Sequence, residues 1–181
     1  QMCIRDRPNP MNFKNQDRIE FLDVGQGDAA LISIGNKNIM IDSGGNPRNH
    51  GAVGKNIIEP YLIKTGRRKI DYAFISHYDY DHAGGFTELS DDIKIKHVIV
   101  NHQYEGDDDL SNFKSKLEKL NPIAVKGDAS FNLGKDYSIN FIEGNEDLIS
   151  ENDRSIVAVF RKRNKNLVLF TGDIEEEAES K

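Results

Sequence analysis

The stretch "SHYDYDHAGG", residues 76–85, sets two histidines and two aspartates within six positions, from His77 to His82, and follows them with a glycine pair. The residues before it, "KIDYAFI" (69–75), carry the apolar run Tyr72, Ala73, Phe74 and Ile75. A run that is apolar on both faces is what a central, doubly covered strand requires. His77 therefore falls where a buried strand ends, the place where open α/β sheets gather their ligands. Imidazole and carboxylate both bind divalent metals. Four such groups in so short a segment exceed what one tetrahedral ion would take, so the spacing points to two adjacent ions, each taking two. Gly84 and Gly85 are expected to let backbone approach the ions and to open a helix whose N-terminus faces an anion. An exposed turn of solvated charges would account for any two of these residues, and poorly for the whole His-x-Asp-x-Asp-His set.

Outward from this segment the chain alternates strand and helix signals. "RIEFLDVGQGDAALISIG" (18–35) reads as strand, Gly-rich turn and strand, and "KNIMIDSGG" (37–45) as a strand ending at Asp42. Residues 52–64 look helical, with Pro60 as a kink and Gly66 as the stop. "AGGFTEL" begins a short helix, and "KHVIVN" is a further strand. Leu110, Phe113, Leu117 and Leu120 recur at helical spacing, with Pro122 just beyond. "PIAVK", "YSINFIE", "SIVAVF" and "NLVLFTGD" are strands, and "IEEEAES" begins a helix. Two sets of strands with interspersed helices make a layered α/β domain.

Composition narrows the function classes. The 181 residues carry 30% charged side chains and a net charge of −6, which suits a globular domain and is not by itself the footprint of a nucleic-acid binder. No apolar run approaches the roughly 18 residues that a membrane span needs. The only cysteine is Cys3, so neither disulfides nor thiolate ligands enter the reading. "QMCIRDR" (1–7) lacks periodicity and resembles a translated sequencing adapter. It is read as a non-native leader, leaving 8–181 as the domain. Whether Met11 is the initiator or an upstream region preceded it stays open.

The segment 76–85 resembles the metal-binding signature of the metallo-β-lactamase fold, with Asp79 standing where that family usually has histidine. Together with "FLDVGQGDAALI" (21–32), "IDSGG" (41–45), "NDRSIVAVF" (152–160) and "LFTGD" (169–173), it resembles the C-terminal domain of ComEC-type DNA-uptake competence proteins. The resemblance implies a four-layer αββα sandwich. It assigns His77 and Asp79 to one metal, Asp81 and His82 to the other, and Asp173 as the bridge between them, with Asp81 and Asp173 central to catalysis. Asp42 would orient the metal loop from behind; Asn152 or Asp153 would stand where related enzymes place a further ligand. Asp79 makes the set richer in oxygen, which favours Mn²⁺ or Mg²⁺ and keeps Zn²⁺ open; Mn and Zn are expected ahead of Mg. The family pattern also continues past "TGD" to further ligands beyond residue 181. The domain is therefore expected to be incomplete at its C-terminus, and this fragment alone inactive or very weak.

The activity implied is metal-dependent hydrolysis by a dinuclear phosphodiesterase acting on DNA during uptake into a bacterium. The domain would be soluble, either cytoplasmic or tethered through a membrane channel region upstream. A stand-alone hydrolase of small phosphoesters and a metal-free binding module are the alternatives. β-Lactam hydrolysis is disfavoured by Asp79.

Other features have plainer readings. Gly25 and Gly27 in "DVGQGDA" (23–29) answer a tight turn, with Asp28 a candidate group behind the metals. His50, His97 and His102 are expected to pack or face solvent, and "RKRNKN" (161–166) to be a solvated hairpin turn. "GDDDL" (106–110) lacks the glutamate of a calcium loop and reads as a helix start.

Overall fold

The computed structural model describes residues 16–46, 53–100, 111–142 and 152–175. The leader 1–7, Met11, His50, His102, the segment 106–110 and the final acidic stretch 176–181 lie outside these residues.

The first sheet has six strands in the order β1-β2-β3-β5-β7-β8. β1 (Arg18–Phe21), β2 (Ala30–Ile34) and β3 (Lys37–Ile41) form an antiparallel meander. β5 (Tyr72–Phe74) then pairs in parallel with β3 on one side and β7 (Val98–Val100) on the other. β8 (Ile123–Ala124) continues the parallel half. The central place expected for residues 72–75 is thus occupied by β5.

A second sheet follows the order β12-β11-β10-β9, all antiparallel: β9 (Ala129–Gly134), β10 (Tyr137–Ile142), β11 (Val157–Lys162) and β12 (Lys165–Phe170). β9 was not expected, because its run ASFNLG mixes Ser and Asn with only two large apolar residues. A short parallel pair, β4 (Lys69–Ile70) with β6 (Lys94–Ile95), stands apart.

Side-chain alternation along the strands explains the layering. On the first sheet Leu31, Met40, Ala73 and Ile75 face one way, into a core shared with Ile58, Leu62, Phe86 and Leu117 of the helical layer. Their neighbours Ile32, Ile39, Ile41 and Phe74 face the other way and meet Leu133, Ile139, Phe141 and Phe160 of the second sheet. Phe74 is the hinge of that inner core, edge-on to Phe131 and Phe141 at 5.2 and 5.0 Å. The described residues therefore supply three of the expected four layers: helices, first sheet and second sheet. On the outward side of the second sheet Ile142, Leu167 and Leu169 are exposed.

The helix expected over 52–64 divides in two. A π-helical turn at Gly54–Ile58 leads into α1 (Glu59–Lys64). Pro60 sits in the first turn of α1, where its missing N–H costs little, so it marks a change of winding in place of a kink inside one helix. Gly66, at φ +75°, closes α1, with the Arg67 and Gly66 N–H groups reaching back to the Leu62 and Ile63 carbonyls. α2 (Tyr80–Ala83) is a single turn that runs into the 3-10 helix Gly84–Glu88, and α3 spans Ser111–Glu118.

Candidate metal centre

β3 and β5 run parallel and end side by side, and the loops leaving their C-terminal ends build the site. β3 delivers Asp42, whose N–H continues the ladder to the Phe74 carbonyl before the backbone turns left-handed at φ +55°. β5 delivers Ser76 and His77. From the second sheet β12 delivers Thr171, Gly172 and Asp173.

Three loops lock together here. The Ser43 N–H and Oγ both donate to the His82 carbonyl, at 2.7 and 3.0 Å, and the Phe86 N–H donates to Ser43 Oγ at 3.0 Å. The Gly44 N–H donates to the Asp28 carbonyl at 2.7 Å. A Cβ at Gly27 would lie 1.7 Å from the Asp81 carbonyl oxygen, so glycine here serves close approach to the metal loop as well as the turn at φ +76°. The pair Gly84–Gly85 plays a different part from the one expected. The Gly85 N–H is spent on the Gly44 carbonyl at 2.8 Å, and a Cβ there would lie 2.3 Å from the Ser43 carbonyl oxygen. Those glycines let the 42–45 loop pack against the metal loop; they do not open an anion-binding helix end.

At the centre His77 and His82 are buried at 1% exposure each, their rings 4.1 Å apart. His77, His82 and Asp173 offer ligand atoms that all lie within 4.8 Å of one another. His82 Nε2 faces Asp173 Oδ1 at 3.3 Å, and its Nδ1 faces Asp42 Oδ2 at 3.0 Å. His77 Nε2 lies 3.7 Å from Asp79 Oδ2, too far to hydrogen-bond, and is a buried nitrogen without a hydrogen-bond partner. Asp42 is 2% exposed and accepts at both oxygens: from the Ser76 N–H on Oδ1, and from the Ser76 hydroxyl on Oδ2, each at 2.7 Å.

Charge follows from this placement. Burial favours a neutral His82 ring, but the hydrogen bond and charge of Asp42, with the charges of Asp173 and Asp81, outweigh burial and raise it to about 9.

The remaining candidates fall as follows. Asp81, in the first turn of α2, lies outside the three-residue group but adds to the field on His82. Asp79 is about half exposed beside His77. Asn152, in the 3-10 turn Asn152–Arg154, donates to Glu175 Oε1 at 3.4 Å, which ties that turn to the segment after Asp173. The side chain of Asp153 lies outside the described residues. Asp28 is exposed and lines a cleft of about 190 Å³ with Asp42, Thr171, Gly172, Phe21 and Phe170. His97 is exposed and stacks on Tyr72 at 5.3 Å. The basic stretch 161–166 forms the β11–β12 hairpin, with Arg161 on Asn166 and Arg163 on Asp136. Ser76 and Ser43, central to the geometry, carry no sequence signal beyond a small hydroxyl residue at a strand end.

The residues fit a divalent cation on one plain observation: a buried imidazole nitrogen with no partner points into a space shared with a second imidazole and a carboxylate. In water-poor surroundings such a nitrogen is costly unless a cation or proton donor meets it.

Comparison with known proteins gives the chain's family. Residues 22–180 match the family model of the metallo-beta-lactamase superfamily. Among curated relatives, ComE operon protein 3 of Bacillus subtilis is 23% identical over 92% of this chain and 23% of its own length. Competence protein ComA of Neisseria gonorrhoeae is 33% identical over 42% of this chain and 10% of its own. The chain thus spans at most about a quarter of the length of these relatives. Among solved structures, a metallo-beta-lactamase-type protein of Cronobacter sakazakii superposes with a TM-score of 0.56 at 14% identity, over 90% of this chain and 61% of that one. The diiron β-hydroxylase CmlA of Streptomyces venezuelae gives 0.54 at 15% identity, over 88% and 30%. These likenesses fix the fold, and the family match over most of the chain fixes the affiliation: the chain belongs to the metallo-beta-lactamase superfamily, the metal-dependent hydrolase fold, with bacterial competence proteins among its relatives.

Proposed function

We propose that the chain carries the hydrolytic centre of a dinuclear phosphodiesterase acting on DNA. The observation that carries the reading is the convergence of His77, His82 and Asp173 around the unpartnered Nε2 of His77. In this reading His77, Asp79, Asp81, His82 and Asp173 would together hold the two ions. Such a pair would supply Lewis acidity and a water of lowered pKa for in-line displacement at phosphorus. The protein's own part is placement. Asp42 holds the His82 ring from behind and ties down the start of the metal loop through Ser76. Asp79, Asp81 and Asp173 are the more exposed members, on the side from which a phosphate would arrive. The cleft beside Thr171 and Gly172 gives the substrate room. The competence-protein relatives favour DNA over a small phosphoester. No helix among the described residues is long and apolar enough to cross a membrane.

The test is hydrolysis of linear DNA and of a small phosphodiester by the domain carrying the downstream ligands that the family pattern adds, loaded with Mn²⁺ or Zn²⁺, with chelated protein and Asp81→Ala as controls. Cation-dependent cleavage of DNA that Asp81→Ala abolishes while the fold survives is the expected result. Cleavage of the small ester alone would move the chain to the small-substrate reading. Undiminished activity in Asp81→Ala would refute the site.

A further inference from the structure

We infer that the Ser76 hydroxyl is a positioning group that fixes the tautomer of His77 and thereby aims the Nε2 lone pair of that ring at the cation position; the inference rests on the metal reading proposed above. Ser76 is 3% exposed, and its Oγ lies 2.7 Å from Asp42 Oδ2 and 3.0 Å from His77 Nδ1. An ionised carboxylate only accepts, so the single hydroxyl proton is committed to Asp42. What Oγ then offers His77 is a lone pair, and the contact is a hydrogen bond only if His77 carries its proton on Nδ1. Nε2 is left as a bare acceptor, and it is this nitrogen that is buried without a partner. It also faces the Asp79 carboxylate at 3.7 Å, lone pair toward lone pair, an arrangement that a cation between them makes favourable.

The opposite tautomer is penalised twice. It would set a bare Nδ1 against the serine lone pair, or make the hydroxyl abandon its charge-assisted bond to Asp42. His82 has no need of the serine, because its Nδ1 reaches Asp42 Oδ2 directly at 3.0 Å; the serine oxygen is farther, at 3.4 Å. One carboxylate therefore orients both imidazoles: His82 by direct contact and His77 through a hydroxyl relay. The backbone of Ser76 is anchored independently, its N–H on Asp42 Oδ1 and its carbonyl accepting from the Ile156 N–H at 2.7 Å, so deleting the hydroxyl leaves the loop tied down.

The experiment is a long-range ¹H–¹⁵N spectrum of the whole chain, labelled at histidine and held near pH 8 with chelator, followed by titration with Mn²⁺ or Zn²⁺. Wild-type His77 should show the Nδ1–H pattern. Ser76→Ala should move His77 to a mixture or to Nε2–H and weaken cation binding by about 10-fold or more, as loss of an outer partner of a metal-binding histidine does. Ser76→Thr should restore both. Ser76→Cys keeps the shape but accepts weakly, and stands in if the alanine variant does not fold. An Nε2–H pattern in the wild type, or an Nδ1–H pattern that survives in Ser76→Ala or Ser76→Cys, overturns the inference. A wild-type chain with the Nδ1–H pattern that binds neither ion overturns the metal reading instead, so the two failures are distinguishable.

Discussion

Replacing Asp42 with asparagine should change not only how stable the chelated protein is but how its stability depends on pH. His82 titrates from 6.5 in the unfolded chain to about 9 in the fold, held up chiefly by Asp42 against burial. A folded-state value above the unfolded one means that the native protein binds the extra proton between those limits. The contribution is complete below pH 6.5, declines through the window, and is gone above about 9. At about 1.4 kcal/mol per pH unit, its full size is about 3 kcal/mol. Asparagine keeps the shape but cancels the charge, and it presents an amide N–H to donors that expect an acceptor. With only the charges of Asp173 and Asp81 left to oppose burial, the His82 ring should lose most of that shift in the fold. Urea unfolding in chelator at pH 6, 7.5 and 9.5 reads the difference. The gap between wild type and Asp42→Asn should be widest at pH 6 and narrow by up to about 3 kcal/mol at pH 9.5, leaving the loss of one of the two Ser76 hydrogen bonds, since the amide keeps one accepting oxygen. A gap of constant size across the range would refute the assignment of His82 to Asp42.

The other predictions are more local. Gly27→Ala should cost about 3 kcal/mol or more in thermal or urea unfolding, because the new Cβ meets the Asp81 carbonyl at 1.7 Å and the backbone is left-handed. Gly25→Ala, at φ +84° with nothing within 4 Å, should cost only about 1–2 kcal/mol. Asp71→Asn should lose about 1–2 kcal/mol at pH 7, since its buried carboxylate meets Lys69 at 2.9 Å, Lys96 at 3.0 Å and the Asn38 N–H at 3.1 Å. Burial raises the Asp71 carboxyl, but those partners outweigh it and hold it below 3.8. Its contribution is therefore present above pH 3.8 and lost as pH falls through the lower folded value, so the variant and wild type should converge in acid. Asp173→Asn should weaken Mn²⁺ or Zn²⁺ binding at least about 10-fold by calorimetry while changing unfolding in chelator by less than about 1 kcal/mol, the side chain being 46% exposed.

The parts of the fold that announced themselves were those with a periodic signal. Tyr72–Ile75 is apolar at every position, and only a doubly covered strand sustains that, so β5 and the strand-end place of His77 were legible. β9 was not: alternate positions carry Ser130 and Asn132, and its inward Phe131 packs on Phe141 of the neighbouring strand and on Phe74 of the first sheet. The break in winding at Pro60 was visible as a proline but not as a π-turn, since the register that accommodates it depends on Gly54 lying against Gly85. At the site the His and Asp spacing was readable as chemistry. Which of those side chains converge was not, because Asp173 arrives from the other sheet and Ser76 acquires its part only when Asp42, 34 residues earlier, is folded against it. Gly85 misled for the same reason: its N–H is spent on the Gly44 carbonyl and its Cα packs against the Ser43 carbonyl, and nothing in the local sequence reports a neighbouring backbone.

Asp173 follows β12, an edge strand of its sheet among the described residues, and is about half exposed, whereas the two imidazoles opposite it are buried and tied to Asp42 directly or through Ser76. The site thus sets two buried, anchored imidazoles against one more exposed carboxylate. An ion would enter and leave on the carboxylate side, so its residence time would be set at the end of β12, while its preferred position would be set by the histidines. Anything that pairs with or stiffens the edge of β12 that is unpaired among the described residues would then slow exchange without altering the imidazole geometry. The same edge could serve as the brake on metal loss in this chain.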